Sequence, residues 1–209
     1  MPGFYHGQID GVFLSKYLSS ERKKDPRKDR IQQILEMAHQ SAQQSDSSET
    51  DCPFAVRPAA PADTEEMADL FGRVFETYPF PVTDPAYLED TMESHIHYFC
   101  ALDGDRIVAV SSCEMDRAAE NVEMTDFATM PEYRKKGLAQ TLLATMEQHM
   151  QEIGIRTFYT IARSLSPGIN ITFAKENYTY GGTLIKNTNI CGKLESMNVW
   201  YKNSEESFS

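Results

Sequence analysis

The chain has 209 residues, with 20 Lys and Arg against 31 Asp and Glu, giving a formal net charge of −11. Its 41% hydrophobic and 11% aromatic residues are enough for a buried core, which excludes wholesale disorder and fits one globular domain with an appendage. The acidic balance argues against a general nucleic-acid or anionic-membrane surface, since both reward Lys and Arg clustered over a whole face. An anionic ligand therefore has to be held by a local device.

No apolar run approaches the ~20 residues that span a bilayer, and residues 1–6 lack a charged flank leading into an apolar stretch. The reading is a soluble, cytoplasmic protein. Cys52, Cys100, Cys113 and Cys191 lie far apart with no C-x-x-C pair, so free thiols are expected rather than a zinc site or a disulfide scaffold. His95 and His97 would share a strand face, but no third His or Cys stands at ligand spacing and no metal is expected.

Residues 1–40 read as an N-terminal appendage, the end of a longer region. Within it Val12-Phe13-Leu14 suggests an isolated strand, and Ile31, Ile34, Leu35 and Ala38 fall at the i, i+3, i+4, i+7 spacing of an amphipathic helix. Residues 41–53 are polar and aperiodic, ending at Cys52-Pro53, as linkers do. The main domain is placed at residues 54–203 and a tail at 204–209. A strand at 54–58 leads to a helix opened by Pro61 and carrying Met67, Leu70, Phe71 and Val74 on one face. A Pro-rich loop (Tyr78-Pro79-Phe80-Pro81) and a short helix over 85–94 follow. Strands are expected at 97–102, 106–112 and 122–130, with a turn at Asp103-Gly104-Asp105.

Next comes Arg134-Lys135-Lys136-Gly137-Leu138-Ala139, followed by Leu138, Leu142, Met146 and Met150 at i+4 steps and closed by Gly154. A strand at 157–162, a helix starting at Ser166-Pro167, and final strands at 182–185 and 197–201 complete a mixed α/β domain. A strand, a basic glycine-containing loop and a helix start suit an anion, because the first helical N–H groups are unpaired and the dipole is positive there. Gly137 lets a pyrophosphate approach the backbone, and small Ala139 keeps the next turn open. The loop is neither a Walker loop nor a dinucleotide fingerprint.

The order of elements around this loop resembles the GNAT acetyltransferase superfamily, and R-K-K-G-L-A matches its [Q/R]-x-x-G-x-[G/A] motif. The resemblance covers about residues 54–202 and implies a mostly antiparallel mixed sheet flanked by helices. It implies acetyl-CoA as cosubstrate, its pyrophosphate on Arg134, Lys135, Lys136, Gly137, Leu138 and Ala139. The pantetheine arm would pair with the backbone of Phe127, Ala128 and Thr129, where an N–H would also face the developing oxyanion. Acylating an amine needs a base, since an alkyl ammonium has a pKa near ~10.4. Glu123, four residues before the pantetheine-pairing position, is the candidate. Strand alternation places Glu123, Thr125 and Phe127 on one face, and Met124 and Asp126 on the other.

Many GNAT enzymes carry a tyrosine general acid in a Y-x-x-x-G-[FY] helix end. Here Phe173 stands at that position, beside the cofactor, and cannot donate a proton. Either the thiolate leaves unprotonated, or another residue such as Tyr178 or Tyr159 serves.

Further motifs are more specific: Tyr159-Thr160-Ile161-Ala162-Arg163, Asn170-Ile171-Thr172-Phe173-Ala174-Lys175, Tyr180-Gly181-Gly182-Thr183 and Glu195-Ser196-Met197-Asn198-Val199-Trp200. Together they resemble the β-lysine N-acetyltransferase family, which implies acetylation of the ε-amino group of β-lysine to make the compatible solute Nε-acetyl-β-lysine. Such a zwitterion needs a cation for its carboxylate and acceptors for its ammonium groups. Arg163, Glu195 and Asn189 are the candidates, with Tyr78 and Phe80 walling the acceptor side. The partner expected is a small-molecule amine, without nucleic acid or membrane, and a homodimer is left open. The competing readings are acetylation of another amine, such as lysine or a polyamine, and a non-catalytic acyl-CoA-binding sensor.

Overall fold

The computed structural model describes residues 1–44, 53–190 and 192–204. Alternating hydrophobicity builds an antiparallel meander of β2 (Ile96–Asp103), β3 (Arg106–Asp116) and β4 (Asn121–Thr129). β1 (Ala55–Pro58) flanks it on one side. On the other side β5 (Thr157–Arg163), β7 (Lys193–Asn203) and β6 (Thr179–Ile190) complete a seven-stranded sheet of order β1-β2-β3-β4-β5-β7-β6. The period of two divides β2 between two cores. Phe99 and Ala101 face the cluster formed with α4 (Leu138–Glu152) and α5 (Pro167–Lys175), whereas Tyr98 and Cys100 face α2 (Thr64–Val74) and α3 (Pro85–Met92). Cys100 and Cys113 are buried free thiols. Among the described residues no helix is long and apolar enough to cross a membrane.

The pairing of β4 with β5 positions the site. The two strands run parallel and share three rungs, Asn121 with Thr157, Val122 with Phe158 and Glu123 with Tyr159, and then separate. On its other edge β4 carries a bulge: Thr125 stands opposite Ser112 and Ala128 opposite Val110, so the strand holds one extra residue there. Asp126 takes a left-handed conformation at this bulge, φ 54°. A bulge bends its strand and raises local twist, which turns β4 away from β5 and opens a fork with Glu123 and Tyr159 at its vertex.

The bulge also corrects the expected alternation. Asp126 lies on the face of Glu123 and Thr125, where Ser112 Oγ donates to it at 2.6 Å. Phe127 instead joins Met124 on the opposite face, its ring 5.6 Å from Phe173.

The N-terminal region packs onto the domain. α1 (Lys28–Gln43) inserts Ile31, Leu35 and Ala38 into the core shared with α4 and α5. Ahead of it, Arg27 bridges Asp25 at 2.9 Å and Glu195 on β7 at 3.3 Å, and Ser196 Oγ donates to Asp25 at 2.6 Å. This pairing holds the Asp25 carboxyl well below the usual carboxylate range. The strand expected at residues 12–14 does not form: Val12 and Leu14 are 78% and 89% exposed, with no sheet partner to supply ladder bonds. Most of the expected linker, residues 45–52 with Cys52, lies outside the described residues, as do Cys191 and residues 205–209 of the tail. The last two strands form a longer hairpin than their apolar residues indicate, because polar Thr183, Thr188 and Asn189 occupy ladder positions along β6.

Candidate active site

A cavity of about 660 Å³ fills the fork, bounded by the diverging ends of β4 and β5, the start of α4 and the loop after α2. Its two ends differ in chemistry.

One end is the basic loop. Lys135 is left-handed at φ 64°, and Gly137, the residue before α4, has φ 81°. Two left-handed positions, either side of Lys136, turn the backbone sharply into the helix start, as in loops that cup anions. Among the described residues no backbone carbonyl accepts from residues 135–139, and the first capping bond at the helix start is from Gln140 N–H to the Gly137 carbonyl, 2.9 Å. Arg134, Lys135, Gly137, Leu138 and Ala139 line the cavity. Lys136 does not: its ammonium sits 4.6 Å from the Tyr133 ring centroid and 5.7 Å from that of Phe54. Unpaired amides, a positive dipole end and two cationic side chains suit a pyrophosphate. The adjoining edge of β4, including Phe127 and Thr129, faces the cavity without a strand partner on β5, leaving backbone groups free for an extended arm. Ala128 sits beneath them in the core and offers backbone only.

The other end is acidic and phenolic, lined by Tyr78, Thr125 and Asp126, and Glu123 lies behind it at the fork vertex, outside the cavity lining. The Tyr159 hydroxyl and the Ile161 amide act on Glu123 to favour its charged form. Burial, and then the negative charges of Glu114 and Asp126, act the other way and raise its pKa from the ordinary 4.5 to about 8. Asp126 accepts from Ser112 and from the Tyr78 hydroxyl, and burial raises its pKa as well. Tyr78, carried on the loop after α2, thus ties that loop to the bulge. The hairpin closes over the same loop, where Gly192 N–H donates to Thr77 Oγ1 at 2.8 Å.

Of the other residues singled out from sequence, Arg163 lines the cavity at the end of β5, as do Ile190 and Met197 of the hairpin. Three lie elsewhere. Phe80 is 57% exposed and Asn189 is exposed, both outside the cavity lining. Glu195 is buried and committed to Arg27, a use invisible from the hairpin sequence alone. Phe173 is fully buried behind the cavity wall, packed edge-on between Phe127 and Tyr178, so it supports the wall and touches no ligand space. Tyr178 is buried in that core too. Sequence reasoning missed Asp126, whose role depends on the bulge. Its one advance sign is that Asp tolerates the left-handed region better than most residues. His95 faces Glu114 at 3.5 Å, while the His97 ring is 5.5 Å from that of His149.

A split β4–β5 fork holding an anion-binding helix start at one end and a carboxylate with a raised pKa at the other defines an acyl-CoA-dependent acyltransferase. The profile of the Acetyltransferase (GNAT) family matches residues 64–166. The chain is 44% identical over 201 residues to a beta-lysine N(6)-acetyltransferase of Methanococcus maripaludis, covering 96% of this chain and 73% of the relative. It is 35% identical over 202 residues to the N-acetyltransferase YodP of Bacillus subtilis, covering 97% of this chain and 73% of that protein. Among solved structures, the ribosomal-protein-S18-alanine N-acetyltransferase of Escherichia coli superposes with a TM-score of 0.62 at 11% identity, covering 75% of this chain and 99% of that one. This last likeness concerns the fold. The chain belongs to the GNAT acetyltransferase family, whose members use acetyl-CoA.

Proposed function

We propose that this enzyme transfers the acetyl group of acetyl-CoA to the ε-amino group of β-lysine, making Nε-acetyl-β-lysine as a compatible solute in the cytoplasm. The observation that carries the chemistry is Glu123 at the fork vertex, with its pKa raised to about 8. A base with a pKa near the working pH combines a useful deprotonated fraction with enough proton affinity to take a proton from an ammonium or its amine. The relative from Methanococcus maripaludis supports the substrate, as does a second beta-lysine N(6)-acetyltransferase, from Methanosarcina mazei, 37% identical over 147 residues.

Acetyl-CoA supplies the activated thioester. The amides of residues 135–139 with Arg134 and Lys135 hold its pyrophosphate, and the unpaired edge of β4 orients the pantetheine arm. Glu123 takes the proton from the incoming amine. Arg163 pairs with the substrate carboxylate at the cavity wall, and Tyr78 with Asp126 shapes the acceptor end. With Phe173 in the tyrosine position no acid is required, because a thiol has a pKa near about 8.5 and its thiolate is a tolerable leaving group.

The test is incubation with acetyl-CoA and equimolar β-lysine, lysine, ornithine and spermidine, followed by fragment-ion mass spectrometry and thiol release. Acetyl on the ε-nitrogen of β-lysine as the dominant product is expected. A different dominant amine would overturn the substrate, and acetyl-CoA binding without any acetylated amine would favour an acyl-CoA sensor.

A further inference from the structure

The fork's vertex is covered from outside the acetyltransferase profile, which begins at residue 64. Residues 1–13 form a compact loop against the three rungs that join β4 to β5. His6 N–H donates to the Ala119 carbonyl at 2.7 Å, Asn121 Nδ2 to the Phe4 carbonyl at 3.0 Å, and Thr157 Oγ1 to the Gly3 carbonyl at 2.7 Å. The loop closes on itself through the Met1 ammonium and the Gly11 carbonyl, 2.7 Å, and the Gly3 N–H and Asp10, 3.1 Å. These bonds fix the Phe4 ring 5.4 Å from that of Tyr159, edge-on, with Phe13 on the same phenol at 6.3 Å. Gly11 lies directly behind: a Cβ there would stand 2.7 Å from three Phe4 side-chain atoms. Tyr159 occupies the last rung opposite Glu123, and its hydroxyl favours the charged form of that carboxylate.

We propose that Phe4 is a positioning residue for the catalytic base: with Phe13 it clamps the Tyr159 phenol against Glu123 and keeps water out of the fork's vertex. The proposal rests on the reading of Glu123 as the base. An N-terminal segment with no catalytic group of its own thereby sets the protonation of the group that does the chemistry. Glu123 is faced by Glu114 of β3, Asp126 and Thr125 of β4, Tyr159 and the Ile161 amide of β5, and Tyr78 of the loop after α2. Asp116 bears on Tyr159, and the segment itself brings His6, 3.9 Å from Glu120, together with Asp10 and Tyr5. The negative neighbours stay in place when Phe4 is changed, so the variant isolates the access of water.

The two arms of the clamp predict opposite signs. Removing the ring admits water and stabilises the carboxylate, whereas removing the phenolic hydroxyl deletes a polar group that favours its charged form. In a ¹³C-carboxyl NMR titration, with the Glu123 signal identified by its loss in Glu123→Gln, Phe4→Ala should lower the midpoint by about one pH unit or more. Tyr159→Phe should raise it, and Phe4→Leu, which keeps an apolar plug, should restore the wild-type midpoint. Gly11→Ala displaces the same ring from behind and should act like Phe4→Ala. Should Phe4→Ala fail to fold, Phe13→Ala, which loses only a ring that is 39% exposed, gives the smaller downward shift. Folded variants whose midpoint matches wild type, whatever their melting temperatures, would overturn the proposal and leave the segment a purely structural role. A midpoint that moves while the pH–rate profile stays fixed would instead overturn Glu123 as the base and spare the clamp.

Discussion

The two ends of the cavity solve opposite problems with different parts of the chain. At the basic loop, the continuous run of residues 135–139 leaves its backbone amides unpaired, as an anionic ligand requires. At the acidic end, Glu123, Asp126, Tyr78, Ser112 and Tyr159 come from β3, β4, β5 and the loop after α2; Tyr78 and Ser112 bond Asp126, and Tyr159 and Asp126 act on Glu123 with opposite signs. The first end binds through what it leaves unsatisfied. The second tunes a carboxylate through what it satisfies and shields. Damage should follow the same division: loop variants should lose cosubstrate binding, and vertex variants should lose turnover.

The largest effect is expected for Glu123→Gln, which should lower kcat by roughly 10²–10⁴, the range of general-base catalysis, while acetyl-CoA affinity measured by calorimetry stays near wild type. Gly137→Asp comes next. It places a side chain at φ 81° and a negative charge where the pyrophosphate is proposed to sit, so acetyl-CoA binding should weaken about 100-fold, about 2.7 kcal/mol. A normal binding isotherm would remove the loop from that role.

Two smaller effects concern stability. Asp25→Ala strips Arg27 and Ser196 of their shared partner and should cost about 2 kcal/mol in urea unfolding. The Asp25–Arg27 pair should also weaken in acid: a depressed carboxylate pKa contributes stability above the unfolded value of 3.8, lost as pH falls below it. Glu123 has the opposite sign. Its folded pKa of about 8 exceeds the ordinary 4.5, so the folded state binds the extra proton and stability falls as pH rises through that window. Glu123→Gln should melt close to wild type at pH 5 and increasingly above it toward pH 9. The smallest effect is expected for Lys136→Ala. Its ammonium rests over two rings outside the cavity, and acetyl-CoA affinity should change by less than about threefold.

The same division explains what was legible beforehand. The loop is contiguous, so its glycine, cations and following helix could be read directly, and so could the helices with apolar faces such as Leu138, Leu142, Met146 and Met150. Glu123 could be singled out only through the family resemblance, by its spacing along the strand. The remainder of the acidic end could not, because a single inserted residue at the β4 bulge reverses the faces of Asp126 and Phe127, and periodicity carries no sign of it. Glu195 looked like a polar hairpin residue facing ligand, yet its partner Arg27 is 168 positions away. Residues 12–14 have strand composition without a neighbour to pair with. Their hydrophobic character belongs to a segment whose anchoring rings, Phe4 and Phe13, meet Tyr159.

The most direct test of the account is the pH dependence of kcat/KM for β-lysine in wild type and Glu123→Gln. The account predicts a rise through an apparent pKa of about 8 in the wild type, and a profile in the variant that is low and lacks that limb. The same limb in both proteins would contradict it, showing that the proton is taken by another group or lost before the amine binds.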